Sequence, residues 1–158
     1  MKQSYRIVPI AILAFALAGC VPTVTAVNNT SFPVRVIVSS AGSHDMLSPS
    51  PGESSSAEVT EGHWMATVIP DQEWIDYAKS VRQYLNDQLA NPQHLSGQEL
   101  LTVIQHLKEI AAQMQAFEKA AATQDGARCL GTINSDNDST GTVEISTGAD
   151  GALIAVCK

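Results

Sequence analysis

The chain has 158 residues, 44% of them hydrophobic and 16% charged, and its formal net charge is −7. This length favours a single domain, and the small charged fraction excludes a highly charged disordered chain. The excess of acidic side chains argues against a nucleic-acid partner, because phosphate binding needs clustered lysine and arginine. After the opening segment, no apolar run approaches the roughly twenty residues that a membrane-spanning helix needs.

The first twenty residues have the organisation of an export signal. Lys2 and Arg6 precede an apolar run at 7–18, which is too short to span a bilayer and is typical of a secretory signal. The run ends in the tetrapeptide LAGC at 17–20, which resembles the lipobox of bacterial lipoproteins. Residues 1–19 are therefore predicted to be a signal peptide.

The lipobox resemblance covers residues 1–20 and implies that Cys20 receives a diacylglycerol, that cleavage falls before it, and that its new amino group is acylated. Several acyl chains anchor far better than one, since each buried methylene contributes about 0.8 kcal/mol. Val21, where many inner-membrane lipoproteins have aspartate, implies the outer membrane. Its periplasmic face is the expected location. Cleavage removes Lys2 and Arg6 and changes the net charge from −7 to −9. An acidic domain of this kind attracts cationic partners.

Residues 20–31 are predicted to be a short lipid-anchored tether, and residues 32–158 a single periplasmic domain that opens with three strands. Alternating apolar residues place these strands at 32–38, 54–60 and 63–69. The Gly/Ser/Pro-rich stretch 41–53 is predicted to be a loop. The Glu-Gly pair at 61–62 is predicted to be the turn of a hairpin between the second and third strands.

Two amphipathic helices are predicted to follow. Asp71 can cap the first, which ends near residue 90 before an Asn-Pro pair. Ser96 and Glu99 form a capping box at the start of the second, which reaches about residue 123. Because the connection is short, we expect an antiparallel helical hairpin. Its apolar residues either pack against the sheets or form a groove for a partner protein.

The C-terminal region returns to β-structure, with strands predicted at 127–134, 141–147 and 151–157. The order β-β-β, α-α, β-β-β defines an α+β fold. With Cys20 lipidated, Cys129 and Cys157 remain in an oxidising compartment, which favours a disulfide between them. A simple meander, however, would place the two cysteines at opposite ends of the sheet, beyond the limit of about 7 Å between Cα atoms. Either the first of these segments is not a meander strand, or the bridge does not form.

Two His-x-Met triplets are candidate metal sites. Imidazole and thioether together suit copper, because soft sulfur favours Cu(I) and nitrogen binds either oxidation state. On a strand, His63 and Met65 share the outward face and can chelate one ion, while Trp64 points into the core. His44 and Met46 could join this copper site, or all four could be unliganded surface residues.

Residues 136–143 resemble the start of a calcium-binding loop. Asp136 and Asp138 alternate, and Gly141 occupies the sixth position, which lets the chain wrap oxygens around Ca²⁺. The pattern departs at the fifth position, Thr140, and at the twelfth, Thr147, where glutamate is expected. A polar hairpin turn explains the same residues.

No catalytic constellation is recognisable in the sequence. A nucleophile elbow, an H-E-x-x-H pattern and a cysteine-rich zinc pattern are all missing. His106 and Glu109 share a helix face that we expect to be solvated, and His94 falls in the interhelix loop. The sequence therefore favours a non-enzymatic outer-membrane lipoprotein that binds another protein. An assembly or secretion accessory and an inhibitor of an envelope-active protein both fit; copper binding is the alternative, and a hydrolase of envelope polymers is a third hypothesis without assignable residues.

Overall fold

The computed structural model describes residues 21–123, 126–134 and 139–158. Within these ranges the chain is a mixed α+β structure of eight strands in two sheets, with two helices and a short 3-10 turn at Pro92–His94. The strands are β1 (Thr23–Asn28), β2 (Val34–Ser40), β3 (Ser43–Leu47), β4 (Ser54–Glu58), β5 (Gly62–Pro70), β6 (Ala127–Ile133), β7 (Thr140–Thr147) and β8 (Leu153–Cys157). The helices, α1 (Gln72–Ala90) and α2 (Gly97–Ala121), lie between β5 and β6 in the chain.

The two sheets pack face to face as a sandwich. The β1 sheet has the order β4-β1-β7-β8, and the β2 sheet has the order β3-β2-β5-β6. Alternate residues of the strands are buried, as expected when one face of each sheet meets the other. The fully or nearly fully buried ones include Val24, Ala26, Val34, Val36, Val38, Trp64, Ala66, Val68, Ile133, Val143 and Ile145.

The first strand replaces most of the predicted tether. Residues 23–28 form β1, which pairs antiparallel with β4 and parallel with β7, and Val24 and Ala26 are completely buried. Asn28 is also completely buried, and its side chain is satisfied by four hydrogen bonds. The tether prediction failed because threonine and asparagine at these positions resemble a solvated segment.

Two further predictions about the N-terminal β-structure were wrong. The loop predicted at 41–53 contains β3, which extends the β2 sheet. The predicted hairpin between the second and third strands does not form, because β4 pairs with β1 whereas β5 pairs with β2 and β6. The chain between β4 and β5 therefore crosses from one sheet to the other.

The two helices form as predicted, with the predicted caps. The Asp71 side chain accepts a hydrogen bond from the Glu73 amide at 3.1 Å. At the start of α2, the Ser96 amide donates to Glu99 Oε2 at 2.7 Å, and the Glu99 amide donates to Ser96 Oγ at 3.3 Å. Hydrogen bonds from the Ser96 side chain and backbone lower the pKa of Glu99. Both caps follow from local sequence, which explains why they were predictable.

The root of the helical hairpin packs on one end of the sandwich. Phe117 of α2 contacts Phe32 and Trp74, with ring centroids 5.8 Å and 5.6 Å apart. Arg35 of β2 holds the start of α1 through Asp71, at 3.1 Å, and Glu73, at 2.7 Å. These contacts fix the hairpin at the end of the sandwich where β1 and β5 finish.

Cys129 and Cys157 form the predicted disulfide, with their Cα atoms 5.5 Å apart. The expected conflict with a meander does not arise, because β6 belongs to the β2 sheet, whereas β7 and β8 belong to the β1 sheet. Of the three C-terminal strands, β7 and β8 thus form a hairpin and β6 pairs elsewhere. None of the helices in the described ranges has the length and apolar character needed to cross a bilayer.

Candidate functional site

Beyond its root, the helical hairpin has an uncovered groove along one face. Two adjoining clefts of about 300 and 290 Å³ share Leu85 at their junction. In the described part of the chain, residues 74–113 alone line both clefts, so the sheets do not cover them. We call this surface the tyrosine groove; its main lining residues are Trp74, Tyr77, Val81, Tyr84, Leu85, Val103, His106, Glu109 and Ile110.

The tyrosine groove has an apolar floor and an aromatic wall. Leu85 is 8% exposed and forms the floor, while Val81 and Ile110 are half-buried beside it. Tyr77 and Tyr84 are 67% and 62% exposed. They are seven residues apart, which places them on the same face of α1. Tyrosine is enriched among the residues that contribute most to protein–protein binding.

The two faces of the hairpin differ in charge. Glu99 and Glu109 line the tyrosine groove, and among the described residues that line it there is no lysine or arginine. Glu109 Oε1 accepts a hydrogen bond from Gln105 Nε2 at 2.9 Å. The opposite face, which we call the basic groove, is lined by Lys79, Arg82, Asn86, Met114, Leu89, Ile104, Leu107 and Lys108, with no acidic residue among the described ones.

The hairpin lies at the end of the sandwich farther from the start of β1. β1 begins at Thr23 and ends at Asn28, and its six residues span about 20 Å at the usual rise of a strand. Asn28 Nδ2 donates to the Phe32 carbonyl at 3.0 Å, and Phe32 packs on Phe117 at the hairpin root. The start of β1 is therefore separated from the hairpin by the length of the sandwich.

The four residues predicted as copper ligands lie on the outer face of the β2 sheet. His63 and Met65 are in β5, facing outward, while Trp64 between them is 2% exposed. His44 and Met46 were predicted in a loop but lie in β3. The register brings His44 and Met65 to either side of one residue of β2, an arrangement that the sequence alone did not predict.

Three of the other predicted site residues are not among the described ones. Asp136 and Asp138 of the predicted calcium loop lie outside the described residues, as does Cys20. Gly141 lies in β7 against the Trp64 indole. Within the described ranges, no group of three or more histidine, cysteine, aspartate or glutamate residues could hold a metal ion.

No single point of the described structure brings together Ser43, His44, His94, His106 and Glu109. Ser43 Oγ is hydrogen-bonded to Ser40 Oγ at 2.6 Å, whereas the adjacent His44 is bonded to Ser39. His94 is exposed in the 3-10 turn. His106 and Glu109 both line the tyrosine groove.

Sequence reasoning missed two features of the site. The spacing of Tyr77 and Tyr84, one heptad apart and outside the apolar stripe of α1, was a signal for the groove. The buried Asn28, which helps to connect β1 to the hairpin root, had no recognisable signal. Comparisons with protein-family models, with curated proteins and with solved structures give no match for this chain.

Proposed function

We propose that the protein is a lipid-anchored lipoprotein on the periplasmic face of the outer membrane, which binds another protein through the tyrosine groove. The observation that carries this proposal is the uncovered groove itself, with two exposed tyrosines above a buried leucine. A groove between two helices can accept the apolar face of a partner segment. Burial of the tyrosine rings then contributes most of the binding free energy.

The chemistry of the groove favours a cationic, amphipathic partner segment. Glu99 and Glu109 lie at its rim, and the chain without its signal has a net charge of −9 after losing Lys2 and Arg6 from −7. Charge of this sign attracts a basic partner and speeds the encounter, especially at low salt. Such a module suits an assembly or secretion accessory, or an inhibitor of an envelope-active protein.

The disulfide and the position of the hairpin support an anchored, extracytoplasmic role. A disulfide such as Cys129–Cys157 persists in oxidising compartments. Only Val21 and Pro22 separate the lipobox cysteine from β1, so a lipid on Cys20 would hold the sandwich close to the bilayer. The hairpin, at the other end, would then point toward partners away from the membrane surface.

The anchor is tested by intact-mass analysis of the chain purified from its cell membranes. We expect loss of residues 1–19 and addition of acyl chains at Cys20. The Cys20→Ala variant should retain its leader or remain unacylated. A processed wild-type chain with a bare Cys20 would overturn the anchor, but it would leave the groove proposal to be judged separately.

The groove is tested by site-specific photo-crosslinking in living cells. A photo-reactive phenylalanine replaces Tyr77 or Tyr84 in one set of cells, and Gln83, which lines the opposite face, in a matched control. We expect both tyrosine positions to capture the same protein, identified by mass spectrometry, and the Gln83 position not to capture it. Equal capture from Gln83, or no capture from either tyrosine position, would contradict the proposal.

A further inference from the structure

The outer face of the β2 sheet brings three soft or borderline metal ligands to one place. Ser39 of β2 is paired with His44 of β3 on one side and with Met65 of β5 on the other. Met46 lies two residues after His44 and opposite Ile37, which is exposed on this same outer face. Paired residues of neighbouring strands point to the same face, so His44 and Met65 flank the small Ser39, and Met46 lies diagonally across from it on that face.

The side chains of this cluster are accessible and long enough to meet. Met46 is 62% exposed and Met65 is 37% exposed. Two strand spacings of about 4.8 Å each separate His44 from Met65, a span that an imidazole and a thioether can close over Ser39. Ser39 lies between them and presents only a hydroxymethyl group, which leaves room above it.

The imidazole of His44 is oriented for metal binding. Its Nδ1 is hydrogen-bonded to Ser39 Oγ at 2.9 Å, so the ring lies toward β2 and Met65, and its Nε2 is directed away from this bond. A hydrogen bond at one ring nitrogen is the usual way in which proteins fix the tautomer and direction of a metal-binding histidine. His63 is held differently: its Nδ1 is bonded to Thr132 Oγ1 of β6 at 3.0 Å, on the side away from β3.

We propose that His44 Nε2, Met46 Sδ and Met65 Sδ bind one copper(I) ion on the outer face of the β2 sheet. Two thioethers and one imidazole are soft and borderline neutral ligands, which select Cu(I) over harder divalent ions. Cys129 and Cys157 are joined to each other and offer no competing thiolate. The ligand set differs from the His63–Met65 pair that the sequence suggested, because β3 is a strand and places His44 beside Met65.

Copper(I) competition measures this site directly. The purified, detergent-solubilised chain competes with a chromophoric Cu(I) chelator under ascorbate, and we expect it to withdraw one equivalent. His44→Ala, Met46→Leu and Met65→Leu should each weaken the affinity by about tenfold or more. Met114→Leu is the matched control, because Met114 is buried at the hairpin root and should leave the affinity unchanged. His63→Ala should also leave it within about a factor of two, since that ring is turned toward β6.

A second measurement needs no variant and therefore does not depend on variant folding. In the wild-type chain labelled with ¹³C at the methionine methyl groups, one equivalent of Cu(I) should shift the Met46 and Met65 signals and leave the Met114 signal in place. The proposal is overturned if Cu(I) shifts neither exposed methionine or is not withdrawn from the chelator. It is also overturned if His63→Ala weakens binding as much as His44→Ala, because the ring bonded to Thr132 would then be a ligand as well.

Discussion

Cys129 and Cys157 join the edge strands of two different sheets, with their Cα atoms 5.5 Å apart. β6 ends the β2 sheet and β8 ends the β1 sheet in the described structure, so the bond closes the sandwich along one side. Since the two cysteines are separated by 28 positions, the bond also closes a long loop in the unfolded chain and lowers its conformational entropy. It therefore stabilises the fold without requiring a contact in the core.

Replacing both cysteines should lower the free energy of unfolding. For Cys129→Ala/Cys157→Ala we expect a loss of about 3.5 kcal/mol, the loop-entropy value for a cross-link of this length. The measurement is chemical denaturation of the oxidised wild type, the reduced wild type and the double variant. The reduced wild type and the variant should have similar midpoints. Equal stability of oxidised and reduced wild type would show that the bond contributes nothing to the fold.

The indole of Trp64 leaves no room for a side chain at the two glycines that it contacts, Gly131 and Gly141. A Cβ placed on Gly131 of β6 or Gly141 of β7 would overlap the indole ring, at 2.7 Å from Cζ2 in the case of Gly141. Because Gly141 is in the opposite sheet, the ring fills the space between the two sheets. Gly131→Ala and Gly141→Ala should each destabilise the protein by about 1–3 kcal/mol, as overpacked core substitutions do.

Gly97→Ala is the matched control for these glycine variants. Gly97 begins α2, and a Cβ there meets nothing within 4 Å. Alanine is a better helix former than glycine, so this variant should be neutral or slightly more stable. Thermal unfolding of the three variants makes the comparison. Equal melting temperatures for Gly141→Ala and Gly97→Ala would contradict the conclusion that Trp64 is tightly packed between the sheets.

Among the polar residues of β1, Asn28 should be the one whose replacement destabilises the fold most, because it is completely buried. Its Nδ2 donates to the carbonyls of Phe32 and Pro49, both at 3.0 Å, and its Oδ1 accepts from the Thr30 amide and hydroxyl. The Phe32 carbonyl and the Thr30 hydroxyl also bond to each other, so Asn28→Ala would chiefly remove the bonds to the Pro49 carbonyl and the Thr30 amide. Loss of these buried bonds should cost about 1–3 kcal/mol. Asn29→Ala is the control, because the Asn29 side chain is exposed. Equal denaturation midpoints for the two variants would contradict this account.

Acid should weaken the capping box at the start of α2, because protonation of Glu99 removes the carboxylate that accepts from the Ser96 amide. Hydrogen bonds from the Ser96 side chain and backbone lower the pKa of Glu99 in the folded chain. The carboxylate therefore stabilises the fold above its ordinary pKa, and this stabilisation is lost as the pH falls through the lowered pKa. Carboxyl ¹³C titration should show the low pKa of Glu99 in the wild type. In Ser96→Ala it should move back toward the ordinary value; no movement would contradict the capping box.

The local features of this fold were predictable, and the pairing of its strands was not. Asp71 and the Ser96–Glu99 box set helix boundaries through neighbours in sequence, so pattern and chemistry sufficed. The pairing of β4 with β1 and of β5 with β6 joins distant segments, and no residue within a strand specifies its neighbour. β1 itself was missed in part because the buried Asn28 donates to the Pro49 carbonyl, which only the fold brings to it.

The candidate site was predictable in part for the same reason. Periodicity indicated a helical hairpin with a wide apolar arc, and a groove for a partner was one of two alternatives left open. Whether the sheets cover that arc depends on where the hairpin is attached. Its attachment through Phe117 and Phe32 at the end of the sandwich leaves Tyr77 and Tyr84 exposed.

The most direct test of the central claim is the affinity of the photo-captured partner, purified, for wild-type and variant chains. Calorimetry should show that Tyr77→Ala/Tyr84→Ala weakens binding by at least about tenfold, since each buried interface tyrosine contributes about 1 kcal/mol or more. Arg82→Ala/Lys108→Ala, on the basic groove, should bind like the wild type, and added salt should weaken every complex. Unchanged affinity of the tyrosine variant, or a greater loss in the basic-groove variant, would contradict the account.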